Sequence, residues 1–218
     1  MAAWLKRGES HDERALEKEA SLDSLRYVVL DTELTSLDQR TNRLLSIGAI
    51  AMQGPSIQLG GQFYRVVNPE VAIPAEGVVI HQLRSEDVEG AERLSKTLDD
   101  FCQFVEGGVL VGHFVHIDLK ILRKEMSRTG HKLDNPAIDT ARMHHWILRH
   151  GPLSEDLPLQ LEKLDLPTLA KFYNLDSHDA HHALSDAFLT ARVWQKMLYT
   201  LQARGVQDLR KLLKIGGT

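Results

Sequence analysis

Two carboxylates, Asp31 and Glu33, close the apolar run Tyr27-Val28-Val29-Leu30. Strand side chains alternate between faces, so residues two apart project into the same space. Two such groups at the end of a buried strand repel each other and resist desolvation unless a cation sits between them. A turn after a strand is the plainer use of the same residue types. Asp118 follows another short apolar run, Val109-Leu110-Val111, at the start of a helical pattern, where an N-cap is the ordinary role. A parallel neighbour strand would bring its C-terminal end, and Asp118 with it, to the edge that carries Asp31 and Glu33. Asp186 interrupts an apolar helix pattern (Ala183, Leu184, Ala187, Leu189, Val193), and His181 stands five residues before it at the helix entrance. A solvated helix face would account for the aspartate but not for the histidine.

The elements that must position these groups follow from the hydrophobic pattern. The run ending at Leu30 is short, β-branched and aromatic, and predicts a buried strand. Leu44 to Met52 predicts a second strand. After the turn Gln53-Gly54-Pro55-Ser56, the segment IQLGGQFYRVV predicts a third, leading to Asn68-Pro69. Short connections make these an antiparallel meander. Residues 68–83, with two prolines, read as a loop. Ser85 and Asp87, followed by Leu94, Leu98, Phe101, Cys102 and Val105, predict a helix that ends at Gly107-Gly108. Val109 to Val111 is a fourth strand, and Asp118 to Thr129 is an amphipathic helix closed by Gly130. Ala137-Ile138-Asp139 is a fifth strand and Thr140 to Arg149 a helix. Gly151 to Leu159 reads as a loop and lid, Pro167 opens a short helix, and a long helix runs from His182 to Tyr199. A small helix over Val206 to Leu213 ends the pattern. This order is α/β, a mixed sheet flanked by helices.

The 218 residues suit one domain with a sizeable core. Hydrophobic and charged contents of 43% and 26% are globular values. No run of about 18 apolar residues predicts a membrane span. The N-terminal stretch is charged and does not read as a secretory signal. A single cysteine, Cys102, in the apolar helix pattern, fits a reducing cytoplasm. The formal net charge of −4 argues against a grip on nucleic acid over a broad basic surface. Residues 1–22 read as a polar arm with a helix over Asp12 to Ala20 anchored by Leu16, and residues 201–218 as a C-terminal helical tail.

The segments DTE (Asp31 to Glu33), HxxxxD (His113 to Asp118) and HHALSDA (His181 to Ala187) resemble the three motifs of the DEDDh 3′–5′ exonucleases. That family includes the proofreading epsilon subunit of bacterial DNA polymerase III. The resemblance covers residues from Leu25 to Tyr199, so that 23–200 would be the exonuclease domain. It implies a ribonuclease H-like fold with a five-stranded mixed sheet. It also implies that Asp31, Glu33, Asp118 and Asp186 bind two Mg²⁺ or Mn²⁺ ions, with His181 as general base. The residue types suit that chemistry. Hard oxygen ligands fit Mg²⁺, paired ions stabilise both oxygens of an in-line displacement, and an imidazole can take a proton from water near neutrality. His181, rather than His182, matches the motif position. The implied partner is the 3′ end of a nucleic acid, single-stranded DNA first and RNA as the alternative, with a polymerase or other protein as a further partner and no membrane.

The chain departs from the family pattern around the acids. Leu34 and Ser36 replace a threonine and a glycine, and Phe114 and Ile117 stand where asparagine and phenylalanine are usual. None of these removes a carboxylate, and together they bear on how the terminal nucleotide is held. Thr32, Leu34, His81 and Phe114 are the candidate substrate contacts, Phe114 as a stacking platform. Two rivals come from other classes. His178-Asp179, together with His113, His116 or His144-His145, superficially suggests an HD-type phosphohydrolase, but that architecture is all-helical and this chain opens with strands. A non-catalytic nucleic-acid or polymerase-binding module would not need all five catalytic positions filled.

Overall fold

The computed structural model describes residues 19–36, 38, 40–71, 73–74, 78, 83–151, 164–177 and 181–218. The N-terminal helix, His81, residues 152–159 of the expected lid and the His178-Asp179 pair lie outside the described residues.

Five strands form one mixed sheet in the order β3-β2-β1-β4-β5. They are β1 (Arg26–Leu34), β2 (Leu44–Gln53), β3 (Ser56–Val66), β4 (Val109–Gly112) and β5 (Ala137–Asp139). β1 runs antiparallel to β2, and β2 to β3, as the short connections require. Gly54 supplies the left-handed backbone (φ +50) of the β2–β3 turn. β4 pairs parallel to β1, and β5 parallel to β4. Strand β1 carries both carboxylates at its C-terminal end, as the side-chain alternation requires.

The helices are α1 (Ser85–Glu89), α2 (Leu94–Val105), α3 (His116–Arg128), α4 (Thr140–Arg149), α5 (Leu166–Phe172), α6 (Ala183–Ala203) and α7 (Leu209–Gly216). The single helix expected over Ser85 to Val105 is two. Gly90 ends α1, and Glu92 leaves helical geometry to bridge to Val67 beyond β3. Asp118 sits inside the first turn of α3, not at its cap, because the helix begins at His116. The expected tail is built into the core: α6 continues to Ala203 and α7 buries Leu209 and Leu212. Beyond it Gly217 bridges Ile138, and the Thr218 amide donates to the Ala137 carbonyl (3.2 Å), which covers the β5 edge.

The two sheet faces follow the strand alternation. Tyr27 and Val29 pack with α4, α5, α6 and α7 around Trp194. Val28 and Leu30 pack with α2 and α3 around Phe101 and Leu119. Residues 31 and 33 therefore continue the α6 face, and residues 32 and 34 the α3 face. Among the described residues no helix is long and apolar enough to cross a membrane.

Candidate active site

Carboxylate oxygens of Asp31, Glu33 and Asp186 all lie within 4.8 Å of one another. Backbone placement produces this. Asp31 pairs with Gly48 on β2, and Gly48 with Tyr64 on β3. The first turn of α6 rests directly on Gly48, where an added Cβ would run into the carbonyl of Ala183 and the amide of Leu184. Only glycine lets the helix come down this close to the sheet, and Asp186 projects from that first turn over Asp31.

Asp118 reaches the site from the other face. It is buried, and its Oδ1 accepts a hydrogen bond from the Thr32 hydroxyl at 2.6 Å. Thr32 is thus the side chain through which β1 holds the carboxylate of α3. The charge of Asp118 still acts on both Asp31 and Glu33.

The electrostatics are those of acids gathered and buried together. Burial first, then the neighbouring Asp118, Glu33 and Asp186, hold the Asp31 carboxyl well above the usual range. Burial, with Asp186 and Asp118, raises Glu33 to about 7. Burial pushes Asp118 up to about 7 against the Thr32 hydrogen bond, which pulls it down. Asp186 is also raised by burial, offset by the hydrogen bond it accepts from the His181 amide. Three carboxylates converging within 4.8 Å, all harder to ionise than usual, are a donor set that fits a divalent cation.

The two neighbouring histidines differ in what they do. His182 is the N-cap of α6, with Nδ1 accepting from the Ser185 amide at 3.4 Å, and its ring stacks on Tyr64 at 4.6 Å. His181 is exposed and has a left-handed backbone (φ 71), and its amide donates to Asp186 Oδ2 at 2.9 Å. The Asp186 carboxylate thereby fixes the turn that presents the His181 ring. A non-glycine residue at positive φ beside the acids is the kind of strain that clusters at functional sites.

The candidate substrate contacts divide. Thr32 is committed to Asp118. Leu34 is half-buried against the α3-side core. Phe114, at φ 52, is half-buried on the rim, its ring 4.5 Å from His113 and 6.4 Å from His116. His113, the first residue of the second motif, has both ring nitrogens in use. Nδ1 lies 3.0 Å from the Thr140 hydroxyl and Nε2 lies 2.7 Å from the Leu164 carbonyl. It clamps β4, α4 and the start of α5 together, and burial lowers its pKa. Three contributors were not singled out from sequence: Gly48, Tyr64 and the Thr140 clamp. Gly48 had a signal, since it sits in a run of small residues (Ser46, Gly48, Ala49, Ala51) inside an otherwise apolar strand.

Comparison with known proteins bears on the family and the fold. Residues 28–194 match the family model described as Exonuclease (RNase_T). The DNA polymerase III subunit epsilon of Rickettsia conorii is 34% identical over 185 residues, covering 81% of this chain and 75% of that protein. The PolC-type DNA polymerase III of Caldanaerobacter subterraneus is 29% identical over 196 residues, 90% of this chain, and the chain spans 13% of its length. The nuclease domain of 3′hExo, described as a DEDDh family member and bound to rAMP, superposes with a TM-score of 0.67 at 13% identity, covering 80% of this chain and 92% of that one. Exonuclease I of E. coli with a dT13 oligonucleotide gives a TM-score of 0.70 at 17% identity over 83% of this chain and 42% of that one. The fold is that of these exonucleases, a five-stranded mixed sheet with flanking helices. The family model covers residues 28–194, most of the chain, and the chain belongs to the RNase_T exonuclease family.

Proposed function

We propose that the chain is a metal-dependent 3′–5′ exonuclease that removes nucleoside monophosphates from DNA 3′ ends. The observation that carries this reading is the convergence of Asp31, Glu33 and Asp186 next to His181, whose ring is exposed while that of His182 is engaged. Asp31, Glu33 and Asp186, with Asp118 turned in from Thr32, would hold the two divalent cations, Mg²⁺ or Mn²⁺. When bound, these cations supply Lewis-acid charge to the phosphate oxygens. His181, tied to Asp186 through its amide, would take the proton of the attacking water on its ring. The water oxygen bonds to the phosphorus of the terminal nucleotide as the P–O3′ bond breaks, and the leaving oxygen takes up a proton from solvent, matching the one His181 returns to solvent, to become the new 3′-hydroxyl. Phe114 and Leu34 offer apolar contact to the terminal nucleotide. Similarity to chains named as DNA polymerase III subunits supports a DNA end as substrate and a polymerase as partner.

The test is release of mononucleotides from 3′-labelled single-stranded DNA, mismatched duplex and short RNA, each with Mg²⁺, with Mn²⁺ and with chelator. Metal-dependent shortening from the 3′ end, lost in Asp186→Ala, is expected. Unchanged cleavage in chelator, or release from the 5′ end, would overturn the reading. Faster cleavage of RNA would move the substrate from DNA to RNA within the same mechanism.

A further inference from the structure

The solvent face of α3 carries cations and no exposed carboxylate. Between His116 and Leu133 the carboxylates are Asp118 and Glu125, and both are buried. Lys120, Arg123, Arg128 and Lys132 are exposed, and Lys124 is half-buried. Lys120, Lys124 and Arg128 recur at i, i+4 and i+8, so they lie along one side of the helix. Lys124 Nζ donates to the Asn42 carbonyl at 3.1 Å, a neutral partner, and among the described residues it pairs with no carboxylate. Arg128 is paired with Glu125 at 2.7 Å, and His131 with Asp99 at 2.7 Å. At the far end a shallow groove of about 450 Å³ is lined by Arg123, Ser127, His131 and Lys132, with Asp134 also on its wall. The contrast is with the segment around α1, where Glu86, Asp87, Glu89 and Glu92 are all exposed. In a chain of net charge −4 this cationic face is local, and it starts two residues from Asp118.

We propose that the solvent face of α3 is the track for the phosphates upstream of the scissile bond, ending at the Arg123–Lys132 groove. The proposal rests on the exonuclease reading of the adjacent acids. From Asp118 to Arg128 the helix rises roughly 15 Å, enough for about four nucleotides of a stacked strand. Lysine and arginine on an exposed helix face recognise the backbone without reading bases, which suits an enzyme that shortens any sequence. The track also reconciles an acidic chain with an anionic polymer, since the exposed charged side chains of the segment from Lys120 to Lys132 are all cationic.

The test compares the full chain with the double variant Arg123→Gln/Lys132→Gln, both remote from the acids. The substrates are a dinucleotide and a single strand of roughly 12 nucleotides. Each phosphate contact contributes about 0.7 to the slope of log affinity against log salt for single strands. Between about 50 and 200 mM salt the wild type should therefore lose about sevenfold more affinity for the long strand than the variant loses. The variant's KM for the long strand should rise at low salt, while kcat and KM for the dinucleotide stay at wild-type values. An unchanged long-strand KM and salt slope in the variant would overturn the track. If the wild type cleaves neither substrate, the exonuclease reading has failed. The track is then decided by anisotropy of the labelled long strand under the same salt comparison, with equal binding by both proteins counting against it.

Discussion

Gly48→Ala is the smallest change that should separate the two halves of the site. Gly48 faces the first turn of α6, and the atoms an added methyl would meet are backbone: the Ala183 carbonyl carbon and oxygen and the Leu184 amide. Backbone cannot rotate away as a side chain can. The added Cβ would stand 2.2–2.3 Å from these atoms, and carbon contacts relax only near about 3.5–4.0 Å, so α6 must retreat by roughly 1.2–1.8 Å at its entrance. That entrance is also held by the His182 ring on Tyr64 and by Asp186 on the His181 amide, so the retreat strains both. Overpacking of this kind costs about 1–3 kcal/mol, and relief of glycine's strand entropy returns about 0.5–1. A net loss of about 1–2 kcal/mol leaves the chain folded. The same displacement carries Asp186 away from Asp31 and Glu33, now within 4.8 Å, and about 1 Å of misplacement costs on the order of 100-fold in rate. Denaturant unfolding, the Mn²⁺-induced rise in Tm and 3′-end release measure the three effects. A variant with wild-type turnover and an undiminished Mn²⁺ response would refute the claim that Gly48 seats Asp186.

Three further outcomes follow from the site. Because Glu33 and Asp118 are raised to about 7, they stabilise the metal-free fold below their ordinary values, and that stabilisation is lost as pH rises through about 7. The Tm in chelator should therefore fall between about pH 5 and 8, and the Mn²⁺-induced rise in Tm should grow over the same range as the ligands ionise; a flat profile in chelator would remove the crowding argument. Thr32→Val removes the 2.6 Å hydrogen bond to Asp118, at about 1–2 kcal/mol, and should lower turnover where Thr32→Ser does not; equal loss in both would place the effect elsewhere. His181→Ala should cut turnover by about 10²–10⁴ with stability retained, whereas His182→Ala should lower stability by about 1 kcal/mol through the lost cap and ring stack and reduce turnover less. The reverse ranking would exchange the two roles.

Much of this site was legible because it is written in local patterns. The period-two face of β1, the short buried runs of β2 and β4, and the aspartate inside an apolar helix each need only a few consecutive residues to be read. What escaped depends on partners distant in sequence. Thr32 meets Asp118 across 86 residues, and His113 meets Thr140 and Leu164 across 27 and 51. No window along the chain contains both members of such a pair. The pattern from Ser85 to Val105 misled for a different reason. Its apolar spacing continues in phase, yet Gly90 and the bridge from Glu92 to Val67 break the helix, a tertiary pairing that outweighs local periodicity.

The alternation of β1 explains why this site needs both faces of the sheet. Asp31 and Glu33 point to the side packed by α6, which contributes Asp186. Thr32, between them, points to the side packed by α3, and there it captures Asp118. Residues 31, 32 and 33 thus bind the two helices to one strand end, and the four carboxylates surround that end instead of lying in a pocket on either face. Such a site cannot form until both cores have packed, because each core delivers one acid. Folding brings four like charges together at a cost the apo chain bears in raised carboxyl pKa values. Divalent cations bound there would offset that cost, and metal affinity and fold stability at this strand end would then be one linked quantity.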